Sequence, residues 1–459
     1  MVLSKEKSLW ITLLGRLQDE LPGLCCAIPY HTFGAAKLER LVVRRVRLER
    51  NWSNELPSCS KPPKVFRLEE GFVRYLVPGG RWLLSGLFDG SGRLVYTDLQ
   101  SPSSGPFDLL RHPDPTFRGD AQRIALCLVT DPDVSAFTIA VTYWPSAQLN
   151  TPINPRWQEK ASCAVWDVKI GESGVLDTSQ RSLFPLLYPE DFGFESFVMN
   201  RDLLLRGTND NYARVFEVFD YLNCSNDQLR RGLVVVPLDE SSRVRGLRIM
   251  PHNQFLVVCS GSLQLFNMPE LSDVPVTSLH PPHGLEHPLW AYDFKPCIPR
   301  CQPAITPPHL AFRESRESSF GLLIQADRIF LYVSFPPEAS NLLDVFEVEM
   351  EHKVGWITAL VGSHSGFWFD RRTERLLPYL TSFEIPGGCS VVRELAGASQ
   401  RFSRSGSGRP ESLSFHTVPY DVLREDTSIR NFSCFDEASG RILIPMRKPY
   451  IAFMILDLS

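Results

Sequence analysis

Residues 76–99, LVPGGRWLLSGLFDGSGRLVYTDL, return in altered form at 249–268, IMPHNQFLVVCSGSLQLFNM. Each copy opens on an aliphatic pair and a proline, then two turn formers: Gly79-Gly80 in one, His252-Asn253 in the other. Each continues with a polar residue, an aromatic and two aliphatics, Arg81-Trp82-Leu83-Leu84 and Gln254-Phe255-Leu256-Val257. Each then turns through glycine into a second apolar run. Proline and glycine at such positions punctuate tight turns, and short runs of β-branched and aromatic residues between them read as antiparallel strands. A looser echo is FVMNRDLLLRG at 197–207, and SGRILI at 439–444 repeats the turn-then-strand half.

A unit used repeatedly constrains the fold more than any single residue does. One small antiparallel sheet cannot bury both of its faces. Sheets arranged around an axis bury those faces against their neighbours and leave only short edges. The expectation is therefore an all-β fold, a β-propeller of about seven WD-repeat-like blades, with units centred near residues 85, 140, 205, 257, 320, 360 and 440. Spread over residues 56–459, seven blades take roughly 58 residues each, above the ~40–50 usual for such repeats, so long loops are required. The proline-rich stretches 101–115, 145–157 and 295–310 are candidates, and 397–412, GASQRFSRSGSGRPES, has the composition of a disordered loop. The competing reading is a pair of β-sandwiches, also built from many short strands.

Residues 1–55 differ in kind. Leu9, Trp10, Leu13, Leu14 and Leu17 recur at helical spacing over 8–24, and Leu38, Leu41, Val42 and Val46 form a stripe over 35–50. At 100° per residue Lys37, Arg40, Arg44, Arg47 and Arg50 fall opposite that stripe. The domain reading is a helical segment at 1–55 and a propeller at 56–459. Residues 1–55 carry nine Lys/Arg against six Asp/Glu, which leaves −7 on the rest of a chain whose net charge is −4. That balance argues against a general nucleic-acid binder. No window is apolar enough to span a membrane and no secretory leader is apparent, so a cytoplasmic or nuclear protein is expected. Eleven scattered cysteines suit reduced thiols, not a disulfide framework.

The sequence LERLVVRRVRLERNW followed by VRYLVPGGRWLL resembles the mushroom-type (basidiomycete) F-box proteins with a propeller-like C-terminal region. Ser8-Leu9-Trp10 is similar to the Leu-Trp end of the F-box helix, Asn51-Trp52 to the end of the linker helix, and Gly79-Gly80-Arg81-Trp82 to the first propeller strand. The likeness starts at about the last F-box helix, so most of the F-box is missing from it. The resemblance implies the substrate-receptor part of a ubiquitin-ligase adaptor, docking a Skp-type adaptor through its helices and an unknown protein substrate through the propeller.

Chemical motifs are sparse. Ser363, His364 and Ser365 sit in Gly-x-His-x-Gly, not the Gly-x-Ser-x-Gly of a nucleophile elbow. His280, His283, Glu286, His287, Cys297 and Cys301 are broken by prolines and lack zinc-site spacing. No catalytic residue, cofactor or metal is expected, and neither nucleic acid nor membrane as partner. The alternatives are a hydrolase-like enzyme with a central-channel site, or a scaffold without a ubiquitin role. Candidate protein-binding residues are Leu9, Trp10, Lys37, Arg40, Arg44, Arg47 and Arg50 on the helices, and Trp144, Trp157 and Trp290 as aromatic anchors in loops at a propeller rim.

Overall fold

The structure is a computed structural model. It describes residues 6–20, 33–53, 64–67, 71–87, 89–100, 105–128, 136–145, 161–171, 175–186, 197–209, 213–225, 227–237, 244–250, 252–259, 261–275 and 286–294, and the strands after residue 300 given below. The chain divides into two compact units, one of residues 69–75 and 82–295, the other of 1–68, 76–81 and 296–459.

In the second unit, helices α1 (Lys7–Glu20) and α2 (Ala35–Ser53) precede strand β1 (Lys64–Arg67). The 69–295 unit then carries four sheets in chain order. Blade 1 is β2 (Gly71–Leu76), β3 (Trp82–Leu87), β4 (Leu94–Asp98) and β5 (Phe107–Leu110). Blade 2 is β6 (Gly119–Leu128), β7 (Ala136–Pro145), β8 (Ser162–Ile170) and β9 (Leu176–Pro185). Blade 3 is β10 (Phe197–Met199), β11 (Leu203–Asn209), β12 (Ala213–Asp220) and β13 (Gln228–Pro237). Blade 4 is β14 (Val244–Met250), β15 (Gln254–Cys259), β16 (Ser262–Asn267) and, after an excursion, β18 (Trp290–Asp293).

That excursion is strand β17 (Ser272–Pro275), which leaves blade 4 and pairs with β13 of blade 3, Leu229 opposite Val274. Gly232 permits it, because a Cβ there would stand 2.6 Å from Pro269 Cγ and 2.9 Å from the Glu270 carbonyl.

The other unit completes the set. Blade 5 is β19 (Ala304–Ile305), β20 (Phe320–Ala326), β21 (Ile329–Phe335) and β22 (Asp344–Glu349). Blade 6 is β23 (Ile357–Val361), β24 (Ser365–Asp370) and β25 (Arg375–Leu380). Blade 7 is β26 (Cys434–Asp436), β27 (Arg441–Met446) and β28 (Ala452–Asp457). Its fourth strand is β1, antiparallel to β28 with Phe66 opposite Phe453. Seven antiparallel sheets follow in chain order among the described residues, the last completed by the first strand. This is the topology of a β-propeller and not of paired sandwiches, whose strands cross between sheets.

The burial follows from that arrangement. Middle strands are covered on both faces, so β3 and β15 are buried at every position and read as continuous apolar runs. Outer strands alternate instead, as β18 does. The sequence echo is a conformational echo: Gly79 and Gly80 have φ of 92° and 66°, and His252 and Asn253 take 58° and 59° at the matching positions. Left-handed backbone suits glycine, and asparagine and histidine tolerate it better than most side chains. The Gly80 carbonyl also accepts a hydrogen bond from the buried Arg441 guanidinium of blade 7. At the looser echo, the Asn200 side chain accepts from the Asp202 and Leu203 amides and closes the β10–β11 turn. Strand β5 lies inside a proline-rich stretch expected to be loop, because Leu109 and Leu110 bury at the blade's outer edge. The loop proposed for 397–412 falls outside the described residues.

Candidate functional site

On the helices, the stripe and its opposite face separate as the periodicity requires. Leu14, Phe33, Leu38 and Val42 are buried together, with Trp10, Ile11, Leu13, Leu41 and Val46 half-buried against them. Trp10 therefore belongs to the seam between the helices, and Leu9 beside it is half-buried. Lys37 and Arg40 are exposed. The Gly34 carbonyl accepts from the Lys37 and Leu38 amides, opening α2. Arg40 Nε donates to the Ala36 carbonyl at 3.2 Å.

The Lys37 ammonium stands 3.5 Å above the Phe33 ring, a cation–π contact. Partial burial holds its pKa below the ordinary lysine value, and the positive charges of Arg81 and Arg40 push it the same way. Arg81 directly follows the Gly79-Gly80 turn, so the turn brings a third cation to the start of α2. Sequence periodicity contained no sign of this. Arg44, Arg47 and Arg50 lie on α2, with side chains outside the described residues.

Trp144 and Trp290 stand in strands, not in loops. Trp144 lies near the end of β7 opposite Asp120 and is half-buried. Trp290 opens β18 opposite Leu265. The aromatic runs simply continue the ladder. Trp290 and Tyr292, two apart and so on one face, are stacked at 6.1 Å with planes 10° apart. Both are half-buried, and Leu289 next to them is 42% exposed. Trp157 lies outside the described residues.

A polar junction joins blades 1 and 2. The Gly119 amide donates to the Gly90 carbonyl at 2.8 Å, and the Gly90 amide donates to Asp120 at 3.0 Å. Asp89 accepts from the Ser91 amide and pairs with Arg93. His112 stacks on Phe117 at 4.0 Å, meets the Tyr143 edge at 4.8 Å and lies 2.9 Å from Ser162 Oγ.

A histidine beside a serine invites a catalytic reading. The Asp114 amide, however, donates to His112 Nδ1 at 3.1 Å. Nδ1 also lies 3.3 Å from the Asp114 carbonyl, so the Asp114 main chain holds this side of the ring through both of its polar groups, and the direction of the His112–Ser162 hydrogen bond follows the tautomer. Among the described contacts of His112 there is no carboxylate on the ring to complete a catalytic relay. His112 is a strut between blades.

Burial lowers the His112 pKa from its ordinary 6.5, against a smaller opposing effect of Asp114. Between the folded value and 6.5 the unfolded chain binds the proton more readily, so stability is full above pH 6.5 and falls as the pH drops through the folded value. His112→Gln is expected to narrow the difference in melting temperature between pH 7.5 and pH 5.5. An unchanged difference would remove His112 from the acid sensitivity.

Cys127, Cys163, Cys224 and Cys259 are in no disulfide. Burial pushes Cys127 and Cys224 up to about 11, so neither is a thiolate nucleophile near neutrality. Among the described residues no group of His, Cys, Asp and Glu is placed to hold a metal ion, and no helix is long and apolar enough to cross a membrane. Ser363 and His364 lie outside the described residues.

Fold and surface together define a β-propeller with a basic helical hairpin, an architecture suited at the coarse level to a protein-interaction scaffold. No family model matches the sequence, and no curated protein matches it. Among solved structures, it is similar to the Dos1 propeller at 10% identity, over 68% of this chain and 79% of that one, with a TM-score of 0.31. The β-propeller domain of Nup133 from Vanderwaltozyma polyspora matches at 11% identity over 68% and 80%, with a TM-score of 0.24. A Bacteroides fragilis protein described as a candidate 6-phosphogluconolactonase matches at 9% identity over 67% and 79%, with a TM-score of 0.30.

Proposed function

We propose that this chain is a protein-interaction propeller acting as the substrate-receptor part of an F-box-type ubiquitin-ligase adaptor. The observation that supports protein binding is the stacked Trp290–Tyr292 pair with exposed Leu289 on an outer strand. A half-covered, rigid aromatic pair is the kind of anchor that dominates interface energetics, since its few rotors lose little entropy on docking. The F-box assignment rests on the sequence resemblance through Leu9-Trp10, Asn51-Trp52 and Gly79-Gly80-Arg81-Trp82.

Cross-linking followed by affinity purification of the full chain tests both levels. The expected result is a stoichiometric protein partner, lost with Trp290→Ala/Tyr292→Ala, and co-recovery of a Skp-type adaptor. A partner without the adaptor would leave a scaffold with no ubiquitin role. Recovery of no partner would overturn the reading.

A further inference from the structure

Blade 3 holds more strands than any other blade among the described residues. Strands β10–β13 already make a four-stranded sheet like those of blades 1 and 2, and β17 adds a fifth at its outer edge. That strand comes from the middle of blade 4, and its own sequence does not ask for one. Ser272-Asp273-Val274-Pro275 is four residues long, and strands disfavour both aspartate and proline. Ser272, Asp273 and Pro275 are exposed, and Val274 is half-buried.

The edge beneath it is the opposite. Strand β13 is ten residues long, buried from Arg231 to Val236, and carries three successive valines. Its outer main-chain groups are a template for any extended segment. The edge, not the segment, therefore sets this pairing. A short strand with one half-buried apolar side chain also sits at the low end of local stability and opens before the sheet it flanks. Both ends of the excursion are tied independently of it. The Met268 amide donates to the Asn253 carbonyl at 2.8 Å, and the Glu286 amide donates to the Val235 carbonyl at 2.7 Å. Strand β17 can thus lift away while β16 and β18 stay in place.

We propose that β17 is a resident stand-in on the β13 edge, displaced when an extended segment of a protein partner docks there as the fifth strand. The proposal rests on the reading of the chain as a protein binder. The resident register supplies the chemistry of the partner segment: Asp273 lies opposite Arg230, and Val274 opposite Leu229. The segment therefore carries an acidic residue followed by a β-branched aliphatic one, both favourable cross-strand pairs here. Main-chain hydrogen bonds supply its affinity and those two side chains its selectivity. The edge is also continuous in chain with the aromatic surface, since Glu286 stands just before the exposed Leu289 and the Trp290–Tyr292 pair. A nucleic acid has no row of amides and carbonyls with which to extend a ladder.

The test is fluorescence anisotropy of the full chain with a labelled peptide of residues 270–277, Glu-Leu-Ser-Asp-Val-Pro-Val-Thr. Its comparator carries Lys and Gly in place of the Asp and Val. Asp273→Lys/Val274→Gly weakens the resident strand, so this variant should bind the peptide at least about tenfold more tightly than wild type does. The comparator peptide should bind that variant about tenfold more weakly or worse. A second variant pins the strand. Gln228 and Pro275 are opposed in the ladder and both exposed, and that spacing suits a disulfide. Oxidised Gln228→Cys/Pro275→Cys should lose peptide binding and regain it on reduction, with wild type unchanged by the same treatment.

Peptide binding to neither wild type nor Asp273→Lys/Val274→Gly, or equal binding by the oxidised and reduced forms of the pinned variant, would overturn the proposal. So would a dimer seen by sedimentation in the reduced pinned variant and absent from the oxidised one, which would give the edge to a second copy of this chain. If the cross-linked partner is recovered equally by both forms, this edge is wrong while the protein-binding reading stands. If wild type recovers none, that reading itself fails.

Discussion

Replacing Glu217 by glutamine is expected to lower the unfolding free energy by about 3–5 kcal/mol. Glu217 on β12 is fully buried and bridges two buried arginines, Arg206 on β11 at 2.9 Å and Arg231 on β13 at 3.3 Å. Arg206 lies directly opposite Glu217 in the ladder, and Arg231 is on the diagonal. By strand alternation the three share a face with Leu204, Phe219 and Leu229. Those residues pack with Ala125, Ala140 and Cys163 of blade 2, so the triad lies on the face blade 3 turns to blade 2.

In that dry setting the carboxylate offsets the desolvation of both guanidiniums. A neutral amide of the same shape keeps the volume and removes the charge. The more exposed Arg181–Asp167 pair at 2.9 Å is the comparison; Arg181→Ala should cost about 0–1 kcal/mol. Urea unfolding of the three proteins decides the matter. A Glu217→Gln shift no larger than that of Arg181→Ala would mean that the triad is well hydrated.

Gly119→Ala is expected to cost about 3 kcal/mol, at the upper end of overpacking substitutions. A Cβ at this position would stand 2.0 Å from the Trp144 carbonyl oxygen, 2.6 Å from Phe117 Cζ and 2.7 Å from Pro145 Cα. Two of those three are main chain and have no rotamer to change. Relief requires β6 and β7 to move apart, which also pulls the Gly119 amide from the Gly90 carbonyl and opens the junction of blades 1 and 2. Gly34→Ala is the control. It meets nothing within 4 Å and has no left-handed φ, so a change within about 0.5 kcal/mol is expected. Thermal melts that place the two variants together would contradict the geometry.

The repeat was legible because turns have chemistry of their own. The pairs Gly79-Gly80 and His252-Asn253 mark left-handed positions, and a chain must place such residues wherever it reverses that tightly. The exposure of Lys37 and Arg40 was legible from the 3.6-residue period. The approach of Arg81 was not, since 44 residues separate it from Lys37 and only the folded turn brings it there. Trp144 and Trp290 were read into loops because prolines follow or precede them, yet ladder pairing extends up to those prolines. Strand β17 left no trace: SDVP between Pro269 and Pro281 has too few apolar residues for any period. Its pairing is decided by the free edge of β13, which lies outside the segment's own sequence. Arg206 and Glu217 did leave a signal. Each is a charge beside apolar residues, Leu204-Leu205-Arg206 and Val215-Phe216-Glu217-Val218-Phe219, and a charge in a strand covered on both faces needs an opposite charge across the ladder.

The pairing of β1 with β28 also bears on how the polypeptide is made. Lys64–Arg67 is synthesised before all six intervening sheets, and its partner only after them. Until β28 is made this strand has a bare edge, the feature through which nascent chains aggregate. Its brevity, four residues, limits that hazard during the wait. Blade 7 therefore closes only once β28 has been made, on a strand that precedes the other six blades in the chain.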